Sequence, residues 1–320
     1  MENTQADTPR VNVRPLLSLF ILASVSIGGV EAMRQMPTPP SQPPETRPLL
    51  TPSEIDIYKS APTLIDWSLR QIHDCAFLHK LQPAKSQDQL PEILNRVGQT
   101  CTSLFHDFPK VSCDEEVESV ASVPYSRVRR KFHYIVAPRP IGDLPAFEEY
   151  RTDLKGIPLD VASLWNFSMI TSNYVSSFLY LSPADQHDNR FRYLGIQMIR
   201  ERACHVVGFA QDPERVRRIA EFMAQGKSVV LLYQGLAWID PQTFQILRVT
   251  TWLLAPRSDV GLSVQTTTID FYPVQSSETE RVLWLPRDVE VKVLCRGMKI
   301  RNTHCYSDFK VFRVESKIKP

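Results

Sequence analysis

The stretch SVVLLYQGLAWIDPQTFQILRVTTWLLAP, residues 228–256, constrains the fold of this chain more than any other. Read as two strands about a turn, it has no wet side. A hairpin with one face in water alternates apolar and polar residues, and this one does so only weakly. Asp240 and Pro241 open Asp-Pro-Gln-Thr with the chemistry of a type I turn. With Pro241-Gln242 as the loop, Tyr233, Ala237 and Ile239 share a face with Ile246, Arg248 and Trp252. Gln234, Leu236 and Trp238 then share the other with Leu247, Val249 and Leu253. A one-residue slip changes the partners but wets neither face. The strands are also long, about 12 residues against a mean near five or six. Both sides of such a unit need covers.

The rest of the chain supplies candidates. Residues 64–81 read as a helix. PEILNRVGQTCTSLF (91–105) is a clearer one, with Ile93, Leu94, Val97, Cys101, Leu104 and Phe105 on one stripe and Pro91 and Glu92 in its first turn. VASLWNFSMITSNYVSSFLYL (161–181) keeps helical spacing at Phe167, Ile170, Tyr174, Val175 and Phe178, so a largely buried helix is expected there. Strands are expected over 126–138, 147–154, 190–199, 203–211, 228–240, 243–256, 263–274, 281–295 and 298–314, rich in β-branched and aromatic residues. Short connections between consecutive strands imply an antiparallel meander. Within it, DVEVKV alternates cleanly, with Val289, Val291 and Val293 on one side and Glu290 and Lys292 on the other. The sheet is thus doubly apolar in its middle and half-wetted toward one edge. One cover is expected from the N-terminal helices; the other from the 161–181 helix, a subunit partner or an apolar ligand.

Apolar content of 43% and charged content of 22% are those of a globular protein. A net charge of +2 gives no reason to expect nucleic acid as a partner. Arg10 and Arg14, the run PLLSLFILASVSIGGV and Val30-Glu31-Ala32 read as a secretory signal over residues 1–32. The run is shorter than the roughly 20 residues that span a bilayer, which favours a cleaved signal over a retained anchor. Residues 33–52 form a tether; its stretch 36–52 carries seven prolines. The expectation is one α+β domain over 53–316, helical over 53–115 and a sheet over 116–316, secreted into the periplasm and at most peripherally membrane-associated.

Export permits disulfides, and Cys101 at a helix end with Cys113 beyond HDFPKVS is the candidate pair among the six cysteines. No CxxC, GxSxG or HExxH pattern is present. GKSVV (226–230) lacks the glycine that a phosphate-binding loop needs at Glu221, and a strand follows it. His73, Cys75 and His79 do not stack on one helical face. His205 and His304 point away from their neighbours Cys204 and Cys305. RVRRK (127–131) reads as a solvated strand face and ERVRR (214–218) as a solvated helix, with anionic lipid head groups as their functional alternative. Asn166-Phe167-Ser168 is a glycosylation sequon by pattern, inside the helix expected to be buried. No enzyme activity, cofactor or metal is expected.

The signal peptide, the N-terminal helices, the long meander and the strand–IDPQTFQILR–strand step together resemble the outer-membrane lipoprotein-sorting superfamily, the LolA-like proteins. LWLPRDVEVKV resembles secreted bacterial members of that group. The resemblance covers roughly residues 115–316. It implies an unclosed antiparallel β-barrel whose concave side holds acyl chains beneath helices, and an envelope protein binding a lipid or an acylated protein without bond breaking. Leu231, Tyr233, Trp238, Ile246, Trp252, Phe271 and Trp284 are the candidates for lining such a groove. The alternative is a structural or interaction module of the envelope, contacting other proteins, whose sheet is filled by its own side chains. A filled core packs near 0.74 density; a ligand site leaves several hundred Å3.

Overall fold

The computed structural model describes residues 25–26, 49–106, 108, 110–122, 125–140, 144–159, 174–224, 227–275 and 282–312. Nearly all of the expected signal peptide and tether, Asn166 and residues 161–173 of the expected helix therefore lie outside the described residues. Val25–Ser26 (β1) pairs with Ala220 and Ile219.

Leu50 is already buried. Thr51 caps α1 (Pro52–Lys59): its hydroxyl accepts from the Glu54 N–H, and the Glu54 carboxylate accepts from the Thr51 N–H. The single helix expected over 64–81 is instead three pieces: a 3-10 turn Leu64–Asp66, α2 (Leu69–Asp74) and a 3-10 turn Ala76–Leu78. Ser68 explains the break, because it forms a new capping box with Gln71. After β2 (Gln82–Pro83) comes α3 (Leu90–His106), close to the expected bounds. Its stripe buries Ile93, Val97 and Cys101, with Leu94, Leu104 and Phe105 packed beside them.

The remaining elements are β3 (Lys110–Ser122), β4 (Tyr125–Pro138), β5 (Phe147–Thr152), a 3-10 segment Val175–Leu181, α4 (Pro183–Gln186), β6 (Asn189–Ile199) and β7 (Arg202–Gln211). They are followed by β8 (Ile219–Ala224), β9 (Lys227–Leu231), β10 (Tyr233–Ile239), β11 (Ile246–Leu253), β12 (Leu262–Gln275), β13 (Val282–Cys295) and β14 (Met298–Phe312). Eleven strands form one antiparallel sheet in the order β2-β6-β7-β10-β11-β12-β13-β14-β3-β4-β5. It is unclosed, with β2 and β5 at its edges. The meander expected from short connections holds from β10 to β14, and the sheet is completed where β14 turns back onto β3. The end of the helix expected at 161–181 is the 3-10 segment Val175–Leu181, and it is buried as expected.

The hairpin differs from its expected form in two ways. Its first strand is not continuous: the chain passes at Leu232 from β9, in a small side sheet with β1 and β8, into β10. Its loop is also wider. The Asp240 carboxylate accepts from the Gln242 and Thr243 N–H groups, and the Asp240 N–H donates to the Gln245 carbonyl. That Asx-type closure moves the register, so Ala237 faces Val249 and Trp238 faces Arg248. From Arg248 onward the odd displacement exchanges the β11 residues between faces, as a slip does, whereas the irregularity at Trp238–Ile239 leaves Ile246 and Leu247 on their expected faces.

Neither face is wet, and the chain covers both. On the face called inner, Val207, Phe209, Ala237, Val249 and Ile269 pack beneath α3 and the 175–181 segment. On the outer face, Leu194, Val206, Leu236, Trp238 and Leu247 pack beneath Leu64, Ile72 and Leu78. Gly208 lets Leu64 come close, since a Cβ there would lie 2.2 Å from its Cδ1. Polar side chains dock this outer layer through its backbone. Gln234 accepts from the Leu64 N–H, Gln197 donates to the carbonyls of Phe77 and His79, and Arg192 donates to those of Ile65 and Trp67.

Candidate functional site

The seven groove candidates do not line one groove. Leu231, Tyr233, Ile246 and Phe271 lie in the inner core, all buried. Trp238 lies in the outer core, where its indole N–H donates to Gln197 Oε1 at 2.8 Å. Trp252 is stacked between Trp67 and Phe77, with ring centroids 6.0 and 6.2 Å away, so it too belongs to the outer layer. Trp284 packs at the margin of both cores. Alternation along the strand already sets Trp238 opposite Tyr233, but the irregularity at Trp238–Ile239 parts Trp252 from Ile246, which the expected register placed on one face.

The space under α3 is nearly full. A void of about 10 Å3 is lined by Thr100, Cys101, Leu104, Phe178, Ile246, Phe271 and Trp284 among others. The larger spaces open on the two flanks of α3. On one flank, Cys101, Thr102 and Phe105 face Pro140, Pro145, Leu179, Pro183 and Ala184 across a cleft of about 310 Å3. Its walls are mostly carbon. On the other flank a cleft of about 350 Å3 lies between Arg96, Gln99 and Ser103 of α3 and the hairpin tip, Thr243–Gln245. Both reach the lower end of ligand-pocket volumes, about 300–1,000 Å3.

The wall of the apolar cleft is braced by the ERVRR cluster, which is a loop joining β7 to β8 and not the expected solvated helix. Arg218 is buried, pairs with Asp185 at 3.2 Å and donates to the Pro145 carbonyl at 2.6 Å. Arg217 pairs with Asp188 and donates to the Ala184 carbonyl. Burial pushes the Asp185 carboxyl above the usual range, although Arg218 opposes the shift. RVRRK is the expected solvated face, where Arg127 pairs with Glu118, and Arg129 and Lys131 pair with Glu116.

All six cysteines are free thiols, and the Cys101–Cys113 bridge is not formed. Residues 110–113, expected as loop, begin β3, and each thiol fills its own place in the inner core. Cys101 Sγ donates to the Phe178 carbonyl at 3.5 Å. Burial raises both thiol pKa values, which keeps them protonated and unreactive. His205 and Cys204 lie on opposite faces, as do buried His304 and exposed Cys305.

A polar cluster that the sequence reading missed sits on the inner face of β14, β3, β4 and β5. Glu115 and His304 are fully buried. The Glu115 carboxylate accepts from Arg151 at 2.5 and 2.9 Å, from His304 Nδ1 at 2.8 Å and from the Tyr306 hydroxyl at 2.9 Å. His304 Nδ1 therefore carries the ring proton, and Nε2 accepts from the Tyr174 hydroxyl at 2.9 Å. Burial works against the Glu115 charge, but Arg151 and the His304 hydrogen bond hold its carboxyl well below the usual range. Burial also lowers the His304 pKa. The available signal is the alternation of β3, which puts Glu115 in line with Val111, Cys113 and Val117. The cluster is enclosed and satisfied, a tie between the 174–181 segment and the sheet. Among the described residues no three His, Cys, Asp or Glu side chains are placed to hold a metal ion. No described helix is long and apolar enough to cross a membrane.

No family model matches this sequence, and no curated protein matches it. Solved structures to which the chain is similar include a candidate outer membrane lipoprotein-sorting protein domain from Vibrio parahaemolyticus, at 9% identity over 70% of this chain and 94% of that one, with a TM-score of 0.37. A DUF1329 family protein from Desulfovibrio piger shares 11% identity over 70% and 92%, with a TM-score of 0.36. A LolA superfamily protein from Nitrosomonas europaea shares 12% over 71% and 96%, with a TM-score of 0.32. Values this low give no guide to ligand or activity.

Proposed function

We propose that this chain is an exported, non-enzymatic envelope protein that holds an acyl chain, of a lipid or of an acylated protein, in the apolar cleft beside α3. The observation that carries the proposal is that cleft: about 310 Å3, walled by Cys101, Phe105, Leu179 and three prolines, and opening onto the inner core of an unclosed sheet. Each methylene it buries contributes about 0.8 kcal/mol. Release needs no chemistry, only competition from another apolar surface. The mid-sheet groove expected from the sequence is filled, so the binding place moves from the strands to the flank of the helix that covers them.

The test is uptake of a fluorescent fatty acid by delipidated protein, wild type against Ala184→Trp, which fills the cleft from α4. Saturable uptake by the wild type, lost in the variant at an unchanged unfolding midpoint, is the expected result. The second reading, a filled module that contacts other proteins, is favoured by the void of only about 10 Å3 under α3. Absence of uptake by the wild type would favour it.

A further inference from the structure

On the proposed acyl site rests a more specific assignment. We infer that the polar cleft on the opposite flank of α3 receives an anionic headgroup of the same ligand, with Arg96 as the cation that reads it. The cleft measures about 350 Å3, and among the described residues Arg96 is the one charged side chain in its lining. Arg96 is half-exposed and pairs with Glu92 at 3.6 Å, a contact also half-exposed on the acid's side. An ion pair so open to water exchanges readily for another anion.

The guanidinium is not free to wander. It lies over the Phe244 ring, 4.4 Å from the centroid, a cation–π stack that leaves its N–H edges for an acceptor. Phe244 holds φ +55°, a conformation costly for a bulky side chain. The tip pins it there: the Phe244 N–H donates to the Asp240 carbonyl at 2.9 Å, and the Asp240 carboxylate accepts the N–H groups of Gln242 and Thr243. The strained backbone at Phe244 thus seats its ring against the inner core on one side and under the half-exposed guanidinium on the other. Gln99, Ser103 and Gln245 add neutral hydrogen-bonding groups around it.

A void of about 10 Å3 under the helix separates the two clefts. The small void there shares Cys101 with the apolar cleft, and Thr100, Leu104 and Gln245 with the polar one. Leu104, only partly buried, is the side chain that a ligand would turn aside to join them. The ligand class is therefore a single-chain amphiphile with a phosphate or carboxylate headgroup, chain on the Phe105 side and headgroup on the Arg96 side.

The experiment is calorimetric titration of the delipidated full chain with lysophosphatidic acid, a monoacylglycerol of the same chain length, and inorganic phosphate. The phosphate lipid should bind about tenfold more tightly than the neutral one, as expected of one half-exposed charge pair. Arg96→Gln should erase that ratio and leave the monoacylglycerol affinity unchanged; Arg96→Lys should keep most of it. A preference that survives Arg96→Gln, or neutral and anionic lipids bound equally by the wild type, overturns the headgroup assignment alone. Inorganic phosphate binding as tightly as the lipid overturns it too, by making the anion a free one. If neither lipid binds, the acyl site itself falls.

Discussion

The two halves of the inner face solve the same burial problem with different chemistry. Under β7, β10, β11 and β12 the covered side chains include Val207, Phe209, Ala237, Val249 and Ile269, where apolar transfer dominates, with one buried hydrogen bond from Gln265 to the Tyr233 hydroxyl. Under β14, β3, β4 and β5 the covered set includes Glu115, Asn302 and His304, with Arg151 crossing from the edge strand. Apolar burial is tolerant of exchange. An enclosed carboxylate is not, since its charge is supported only by the groups now around it. The first half therefore specifies little beyond volume, whereas the second specifies which strands are neighbours.

The largest effect should come from breaking the polar half. Glu115→Ala leaves the Arg151 guanidinium buried without its carboxylate and should cost about 3–5 kcal/mol in urea unfolding. Replacing both partners, Glu115→Leu with Arg151→Met, should recover part of that loss, since His304 and Tyr306 still lose their acceptor; a double variant as weak as the single one would contradict the contrast. Ile269→Ala in the apolar half should cost about 2–5 kcal/mol, with no change in how stability depends on pH.

A pH series separates the halves further. The folded-state pKa of His304 is depressed by burial, so below the ordinary histidine value of about 6.5 the unfolded chain takes up a proton that the native state refuses. Stability should decline as pH falls through that value, and His304→Gln should flatten this part of the curve. Glu115 acts lower. Its folded pKa is depressed, so its contribution is full above the unfolded value near 4.3 and is lost as pH falls toward the folded one. The smallest effect belongs outside: Arg129→Ala on the solvated face of β4 should change stability by about 0–1 kcal/mol, and less in high salt.

These contrasts parallel what was legible in the sequence. α3 was legible because Ile93, Val97 and Cys101 repeat with the helical period, and β13 because Val289, Val291 and Val293 alternate. The need for two covers was legible because no register wets the 228–256 hairpin. The registers themselves were not, since Asp240 accepts two backbone N–H groups and closes a wider loop than Asp-Pro suggests. Trp252 therefore parts from Tyr233 and Ile246, the residues with which the expected register grouped it. The polar cluster was hidden for a different reason. Glu115, Arg151 and His304 lie far apart in the chain, and a strand rich in acids, DEEVES, reads as solvent-facing until its neighbours are known. Neither cleft has a sequence pattern, because each is made by what α3 fails to reach.

The seam between β14 and β3 has a consequence for how the molecule comes into being. The first long strand of the sheet finds its inner neighbour only in residues 298–312, made long after it. Until then β3, β4 and β5 form a ribbon with a raw hydrogen-bonding border, and contacts so distant in sequence are slow to form. Assembly is thereby postponed until residues 298–312 have been made, and a message truncated before Met298 would yield a sticky, incomplete product rather than a smaller working one.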